Sequence, residues 1–380
     1  MELFNNKNQC CGCTACYSVC PKNAITMEYD EEGFIYPSIN SELCVDCGMC
    51  KSVCAFQNGY EKHPVIDGYA LKHKDMDTRT KSRSGGAFAG IANHILSLGG
   101  VIYGAVYNDD YSISHFRCDN KKDLVKIQGV KYIQSEMNDI FSQVKTDLRD
   151  GKYVLFSGTS CQVAGLLSYL GKTDTSKLFT ADLICHGVPN NMIWQEFLRW
   201  NERKYNGKLT NAMFRDKSYG WKTHFESVTI DGKKHKTKRF CLMFYENDIL
   251  RPSCYECKYS NLDRVGDFTL GDFWGLKRQH KDFVDKIGCS LFLVNTKRGK
   301  ELFSEVKDEF ILRDADVVKA SYPNPNLRFP TPKPENRDYF WSLYKQYDFD
   351  KVMKIYNRKL FWSRVKKNLN KIKRIILKTR

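Results

Sequence analysis

Nine cysteines crowd the first 54 residues, and the spacing of eight of them is that of ligands rather than of packing. Cys10, Cys13, Cys16 and Cys20 follow C-x2-C-x2-C-x3-C, with Pro21 next, and Cys44, Cys47, Cys50 and Cys54 repeat the run. Three thiolates two residues apart wrap one corner of an iron–sulfur cube, and the fourth must arrive from elsewhere. In paired runs of this kind each group's fourth cysteine ligates the other group's cluster. The spacing therefore predicts one 4Fe–4S cluster on Cys10, Cys13, Cys16 and Cys54, and a second on Cys44, Cys47, Cys50 and Cys20. Gly12 and Gly48 give the loops the backbone freedom that close wrapping needs. The competing chemistry is structural zinc, which takes four ligands per ion, usually as two separated pairs. Cys11 is left over, a thiol outside either ligand set. Ala55 stands where the first run has Pro21, a change in the turn rather than in the ligands.

Further reactive residues fall at the ends of elements. Ser157-Gly158-Thr159-Ser160-Cys161 joins a strand-like run to a helix, which is where open α/β sheets bind ligands. A helix N-terminus also favours the thiolate of a cysteine placed there. Cys185 ends the next strand, ahead of His186 and Gly187, so both thiols are expected at one crevice. Cys254 and Cys257 form a lone C-x2-C, half a metal site. Together with Cys161 and Cys185 they offer four thiolates for one more centre, a third cluster or a zinc. Alternatively the pair is structural and the other two are simply buried, as cysteine often is. Cys118, Cys241 and Cys289 read as structural. His186 is the candidate for proton transfer, since its pKa lies near the working range; the alternative is a histidine that only satisfies hydrogen bonds.

The scaffold for these groups is long. A chain of 380 residues exceeds the roughly 250–300 at which single cores usually divide. We expect an α+β ferredoxin-like two-cluster domain over 1–60, with short strands at Ala24–Met27 and Phe34–Pro37. A polar link at 61–67 leads to an α/β body in two parts, 65–150 and 151–335. Helices are predicted over Ala87–Leu98, Asn138–Leu148, Ser160–Leu170 and Asn191–Trp200, alternating with strands over Gly100–Tyr107, Tyr153–Ser157 and Leu178–Ile184. Asp231-Gly232 between Phe225–Ile230 and Lys236–Phe244 signals a hairpin. Further strands are expected at Asp267–Leu270 and Ser290–Asn295. Strands alternating with helices argue for an α/β body.

Charge separates the body from the C-terminus. The net charge is +16, but residues 351–380 hold twelve Lys/Arg and no acidic residue, leaving the remainder near +4. A nearly balanced body is not a nucleic-acid surface. The region 336–380 reads as a helical tail, basic and amphipathic, with Phe361, Val365, Leu369, Ile372 and Ile376 at helical spacing. Such a helix either lies on an anionic membrane surface or is a solvated end. The polar N-terminus shows no signal peptide, and no run of 18 apolar residues occurs. Clustered C-x2-C spacing then favours metal binding in a reducing compartment, and a cytoplasmic location, peripheral at the inner membrane face if the tail docks there.

Several stretches taken in order carry a family likeness: Ser84-Gly85-Gly86, Gly129 to Ser135, Ser157 to Gln162, Asp182 to Pro189, and Gly271-Asp272-Phe273-Trp274-Gly275. Behind a double ferredoxin they resemble the family of coenzyme F-420 hydrogenase/dehydrogenase beta subunits, over roughly residues 1–335. The resemblance implies an iron–sulfur flavoprotein that binds FAD and passes electrons between flavin and clusters. It is nearest the bacterial branch associated with surface-polysaccharide gene sets, and it does not assign F-420 as substrate. Chemistry points the same way: clusters carry single electrons, most organic substrates exchange two, and flavin converts between them. Ser84-Gly85-Gly86 before a helix, with Arg83 adjacent, either cradles a pyrophosphate or is only a flexible N-cap. Lys131, Tyr132, Gln134 and Ser135 fall in a stretch resembling the family's second flavin-contacting segment, or form a polar loop. Asp272, Phe273 and Trp274 either shape the pocket or pack. The expected function is a flavin-dependent oxidoreductase acting on a small molecule, fed by a redox partner protein or reduced carrier. The alternative is an electron-transfer subunit without small-molecule chemistry of its own.

Overall fold

The computed structural model describes residues 2–376. Thirteen strands occur among them: β1 (Ile25–Tyr29), β2 (Ile35–Ile39), β3 (Asp67–His73), β4 (Val101–Tyr107), β5 (Ile113–Cys118), β6 (Val154–Thr159), β7 (Leu178–Leu183), β8 (Leu209–Met213), β9 (Glu226–Ile230), β10 (Lys233–Thr237), β11 (Phe268–Asp272), β12 (Ser290–Val294) and β13 (Phe310–Asp314). β1 and β2 pair antiparallel in the cluster unit. β8, β9 and β10 form a three-stranded sheet, and the other eight strands form one sheet in the order β13-β3-β12-β11-β7-β6-β4-β5.

The middle of the large sheet is parallel. β4 pairs with β6, β6 with β7, and β7 with β11, all in the same direction, while the flanking pairs are antiparallel. Strands covered on both faces read as continuous apolar runs, and all five residues of β12 are buried. Alternate side chains leave opposite faces. Val154 and Phe156 of β6 meet Phe141, Val144, Val163 and Leu166 from the helices Ile140–Arg149 and Ser160–Leu170. Leu155 meets Ile91, Ile95 and Phe303 from Ala87–Ser97 and Lys297–Val306 on the other face.

Cys11, Ala15, Val53 and Phe56 of the cluster unit belong to the same apolar cluster as Phe141 and Val163. Ser168 Oγ donates to Val53 O at 2.8 Å, and Tyr259 OH donates to Ala55 O at 2.7 Å. The iron–sulfur unit is therefore docked on the body, not tethered beside it. The two body parts divided at 150/151 share one sheet, because β3, β4 and β5 pair with strands beyond that point or with each other.

Two sequence expectations need correction, and one strand carried no sequence signal. Residues 239–245 form a helix, not the second half of a hairpin strand; the returning strand is only Lys233–Thr237. Phe240, Met243 and Phe244 sit at helical spacing in the core, and the Glu226 carboxylate accepts from Phe240 N at 3.0 Å. Strand β3 went unread because its charged ends hide Gly68–Leu71. The stretch 336–380 is not wholly a tail: the helix Arg337–Gln346 and the start of Phe349–Ile376 bury Phe340, Trp341, Phe349, Val352, Met353 and Tyr356. Beyond them Phe361, Trp362 and Leu369 are exposed. The side chains of Ile372 and Ile376 lie outside the described residues. Among the described residues no helix is long and apolar enough to cross a membrane.

Candidate redox site

The two N-terminal runs fold as loops that each end in a short helix. Gly12 and Gly48 take left-handed φ of 69° and 75°, and Thr14 takes the same region at 68°. A β-branched residue there is an outlier, held by the loop that wraps its neighbouring thiols. Burial first, then repulsion from Cys13, Cys10 and Cys54, pushes Cys16 up. Cys10 likewise feels Cys13 and Cys54. Cys20, Cys44, Cys47 and Cys50 together line a separate cavity. Cys54 thus groups with the first run and Cys20 with the second, in the crosswise sense that the spacing predicts. Donors already point at sulfur: Ala24 N–H to Cys20 Sγ at 3.3 Å, and Gln57 Nε2 to Cys54 Sγ at 3.6 Å.

In the body, Cys161, Cys185, Cys254 and Cys257 are near enough to influence one another, and the parallel register accounts for two of them. Thr159 of β6 lies opposite Leu183 of β7. Cys161 and Cys185, each two residues later, emerge at equivalent points on one sheet edge. Thr159 closes a capping box with Gln162, fixing Cys161 in the first helical turn. The 3-10 turn Pro252–Glu256 delivers Cys254 and Cys257. Burial, then Cys254, Cys161 and Cys257, pushes Cys185 well up, and burial with Cys257 pushes Cys254 up to about 12. Burial keeps these thiols neutral, and ionised together they would repel one another, a charge that a metal centre would offset. Among the described residues no three His, Cys, Asp or Glu stand close enough for one metal ion. The Cys11 thiol, only 5% exposed, is within hydrogen-bonding reach of both Cys13 and Cys161, so it links the first run to the thiols of the body.

Next to the body thiols lies a basin of rings and cations. His186 packs on Phe244 and Tyr245, Tyr245 on His224, and His224 on Trp274, which stacks on Trp221 at 5.5 Å. Arg215 Nη1 donates to Tyr132 OH at 2.7 Å and to Asp272 Oδ2 at 2.5 Å. Arg83 donates to the carbonyls of Arg215 and Trp221. Arg215 itself holds a left-handed φ of 41°, a strained backbone of the kind found at functional sites. Burial and the two arginines push His224 down to about 4, and burial pushes Lys217 down to about 8. Arg83, Arg215 and Lys217 outnumber Asp272. Arg83 Nε, Arg215 Nε and His224 Nδ1 are buried without a hydrogen-bond partner, so the basin fits an anionic, acceptor-rich ligand.

The eight expected flavin contacts divide. Arg83 and Tyr132 reach the basin. Ser84 Oγ donates to Cys289 O, and Gly85 N donates to Ser290 Oγ, so this turn is fastened to β12. A Cβ on Gly85 would meet Leu71 O at 1.9 Å, and Gly86 takes φ of 90°; close sheet packing accounts for both glycines. Lys131 Nζ caps three carbonyls at the end of the helix Lys121–Ile127. Gln134 Nε2 donates to Cys11 O at 2.8 Å, and Ser135 Oγ meets His115 Nδ1 at 2.7 Å. Gln134 and Ser135 line a cleft of about 430 Å³ beside Gly12 and Thr14, between cluster unit and body. His186 Nε2 meets Asn247 Oδ1 at 2.8 Å, and burial lowers its pKa, so it stays neutral at the rim of the basin. Phe273 is buried, whereas Trp274 and Asp272 join the basin.

Arg215, Lys217, Trp221 and His224 escaped the sequence reading because they come from the β8–β9 connection, which carries no motif. The one available signal was their density, four such residues within ten positions.

Residues 151–319 match the C-terminal domain of the coenzyme F420 hydrogenase/dehydrogenase beta subunit, and residues 9–58 match a 4Fe-4S dicluster domain. One subunit of the F(420)H(2) dehydrogenase of Methanosarcina mazei is 20% identical over 365 residues, spanning 90% of this chain and 94% of that protein. An uncharacterised ferredoxin of Methanocaldococcus jannaschii is 35% identical over 54 residues, 14% of this chain and 69% of that protein. A chain of the F420-reducing [NiFe] hydrogenase complex from Methanosarcina barkeri superposes with a TM-score of 0.49 at 15% identity, over 70% of this chain and 90% of that one. The chain thus carries a 4Fe-4S dicluster domain ahead of a domain matching the C terminus of the coenzyme F420 hydrogenase/dehydrogenase beta subunit, and it is homologous to an F(420)H(2) dehydrogenase subunit.

Proposed function

We propose that the protein is an iron–sulfur flavoprotein oxidoreductase that moves electrons between 4Fe–4S clusters and a flavin, and thence to or from a small organic molecule. The observation that carries this reading is continuity. The second quartet opens at the surface, where Cys47 is exposed. The first lies inside it, Cys11 joins the first to the body thiols, and Cys185 is followed in sequence by His186 at the basin. Such an order of thiol groups leading to a cationic aromatic site has no purpose in a static scaffold.

The basin is where we place the flavin. Arg83 and Arg215 would hold its anionic portion, while Trp221, Trp274 and His224 would line its ring system. A bound flavin supplies the exchange between single electrons and electron pairs. His186, Tyr132 and His224 border that ring space and exclude water from it. The rim of the second quartet exposes Leu43, Val45 and Met49, a small apolar patch suited to a one-electron carrier protein, since redox encounters use small interfaces.

Anaerobic purification with iron, sulfide and flavin counted per chain tests the reading. We expect about twelve irons, from three cubane clusters, and one flavin. About eight irons would remove the third cluster, and absence of flavin after reconstitution would remove the flavoprotein assignment. Flavin reduction by a reduced carrier with no other protein present distinguishes an enzyme from an adaptor without chemistry of its own.

A further inference from the structure

Five arginines are buried among the described residues: Arg79, Arg215, Arg251, Arg264 and Arg337. Four face a carboxylate, namely Asp285, Asp272, Asp182 and Glu32 respectively. Arg251, with no exposed surface at all, is the exception. Its Nε donates to Cys10 O at 2.8 Å, Nη1 to Gln134 Oε1 at 3.0 Å, and Nη2 to Ile35 O at 2.9 Å. Its guanidinium lies 4.2 Å from the Tyr36 ring centre, and Nη2 is 3.7 Å from Cys10 Sγ. None of these partners is a carboxylate. An ionised group left without countercharge in a protein interior is heavily penalised.

The position of Arg251 shows where the missing charge belongs. Its backbone N–H donates to Val188 O, just past Cys185, and its carbonyl accepts from Cys254 N. The main chain is therefore part of the frame of the body thiols, while the side chain reaches into the first quartet. A Cβ added to Gly12 would meet Arg251 Nη1 at 2.9 Å, so Gly12 leaves room for the fork. Cys10, Tyr36, Cys11 and Cys254 are the groups whose charge, once ionised, would act on it.

We infer that Arg251 is the shared counterion of the first and third clusters, a positioning residue that makes both easier to reduce than the second. A cube held by four thiolates carries net negative charge, and reduction adds more. A fixed cation between two such centres favours the reduced form of each, since net charge and hydrogen bonds to sulfur set cluster potentials. The half concerning the third centre rests on the proposed third cluster; the half concerning the first rests only on the dicluster domain.

The test is a redox titration with dithionite, followed by electron paramagnetic resonance, on the full chain carrying Arg251→Lys or Arg251→Gln. The second cluster, on Cys20, Cys44, Cys47 and Cys50, is the internal reference. Arg251→Gln removes the charge and keeps one amide donor. It should lower the reduced-to-oxidised ratio of the first and third clusters at least tenfold at fixed poise, or 59 mV for one electron. Arg251→Lys keeps charge and loses the fork, and should stay within about threefold of the unmodified chain, with the second cluster unmoved in both. Equal shifts in the two variants, equal loss of iron from both, or a second cluster that moves as far would make Arg251 a strut and overturn the inference. An unmodified chain with only two clusters fails the third-centre reading alone, and the first cluster still decides the rest.

Discussion

Exchanging a ligand sulfur for oxygen removes one cluster, and which one disappears reports the wiring. Because Cys20 lies in the cavity of Cys44, Cys47 and Cys50, Cys20→Ser should abolish the second cluster and leave the first. Cys54→Ser should do the opposite. Iron analysis and resonance spectra of the two reduced variants check this, and loss of the same-run cluster in each would reverse the wiring. At the basin, His224→Phe keeps the ring against Trp274 and deletes the unpartnered Nδ1. Flavin affinity of the apoprotein should fall about tenfold, the order of one hydrogen bond to a charged group, with no change in thermal midpoint. The eight N-terminal ligands were legible because their spacing is local. Cys161 and Cys185 could be placed at one sheet edge from sequence because both follow strand ends. Arg251 was not legible: its partners Cys10 and Ile35 are 241 and 216 residues away, and nothing near it in the chain names them.

At the scale of elements, β6 controls both the placement of Cys161 and the basin's support. His115 on β5 is buried beside it, with Nε2–H donating to Ser157 O at 3.0 Å and Nδ1 accepting from Ser135 Oγ. Both nitrogens are engaged in the neutral form, and burial lowers its pKa from 6.5 to about 4. The unfolded chain binds this proton below about 6.5 while the native chain refuses it until about 4. Stability is therefore complete above that window and falls as pH drops through it, by at most about 3 kcal/mol. His115→Gln should flatten the acid side of the urea-midpoint profile in that window; an unchanged profile would show that His115 protonates without penalty. Phe240 belongs to the helix that sequence periodicity mistook for a strand. Because it is fully buried against Trp194 and Phe214, Phe240→Ala should cost about 3–5 kcal/mol, read as a lower denaturant midpoint. The parallel run β4, β6, β7 was readable from short apolar stretches followed by helices. β3 was not, because its place between β12 and β13 is a matter of long-range pairing, not of its own pattern.

Across the whole molecule, the C-terminal helices clamp the cluster unit before the chain leaves the body. Arg337 pairs with Glu32, and Trp341 packs on Phe34 at 6.0 Å. Val352, Met353 and Tyr356 then fill the core under the helix Asn191–Tyr205. Only past this point does the charge imbalance become a surface property. Nine Lys/Arg follow Arg358, and Phe361, Trp362 and Leu369 stand exposed among them. Basic residues near an anionic bilayer contribute about 1 kcal/mol each, and aromatic side chains seat at its interface. A chain ending after Arg358 should keep its iron and thermal midpoint but no longer float with vesicles containing anionic lipid. Flotation of the full chain should weaken as salt is added, because the attraction is screened. A chain ending after Tyr347 is the wrong comparison, since losing Phe349, Val352, Met353 and Tyr356 would lower its stability and confuse unfolding with release. Equal flotation of the full chain and the one ending at Arg358 would show that the basic segment makes no membrane contact.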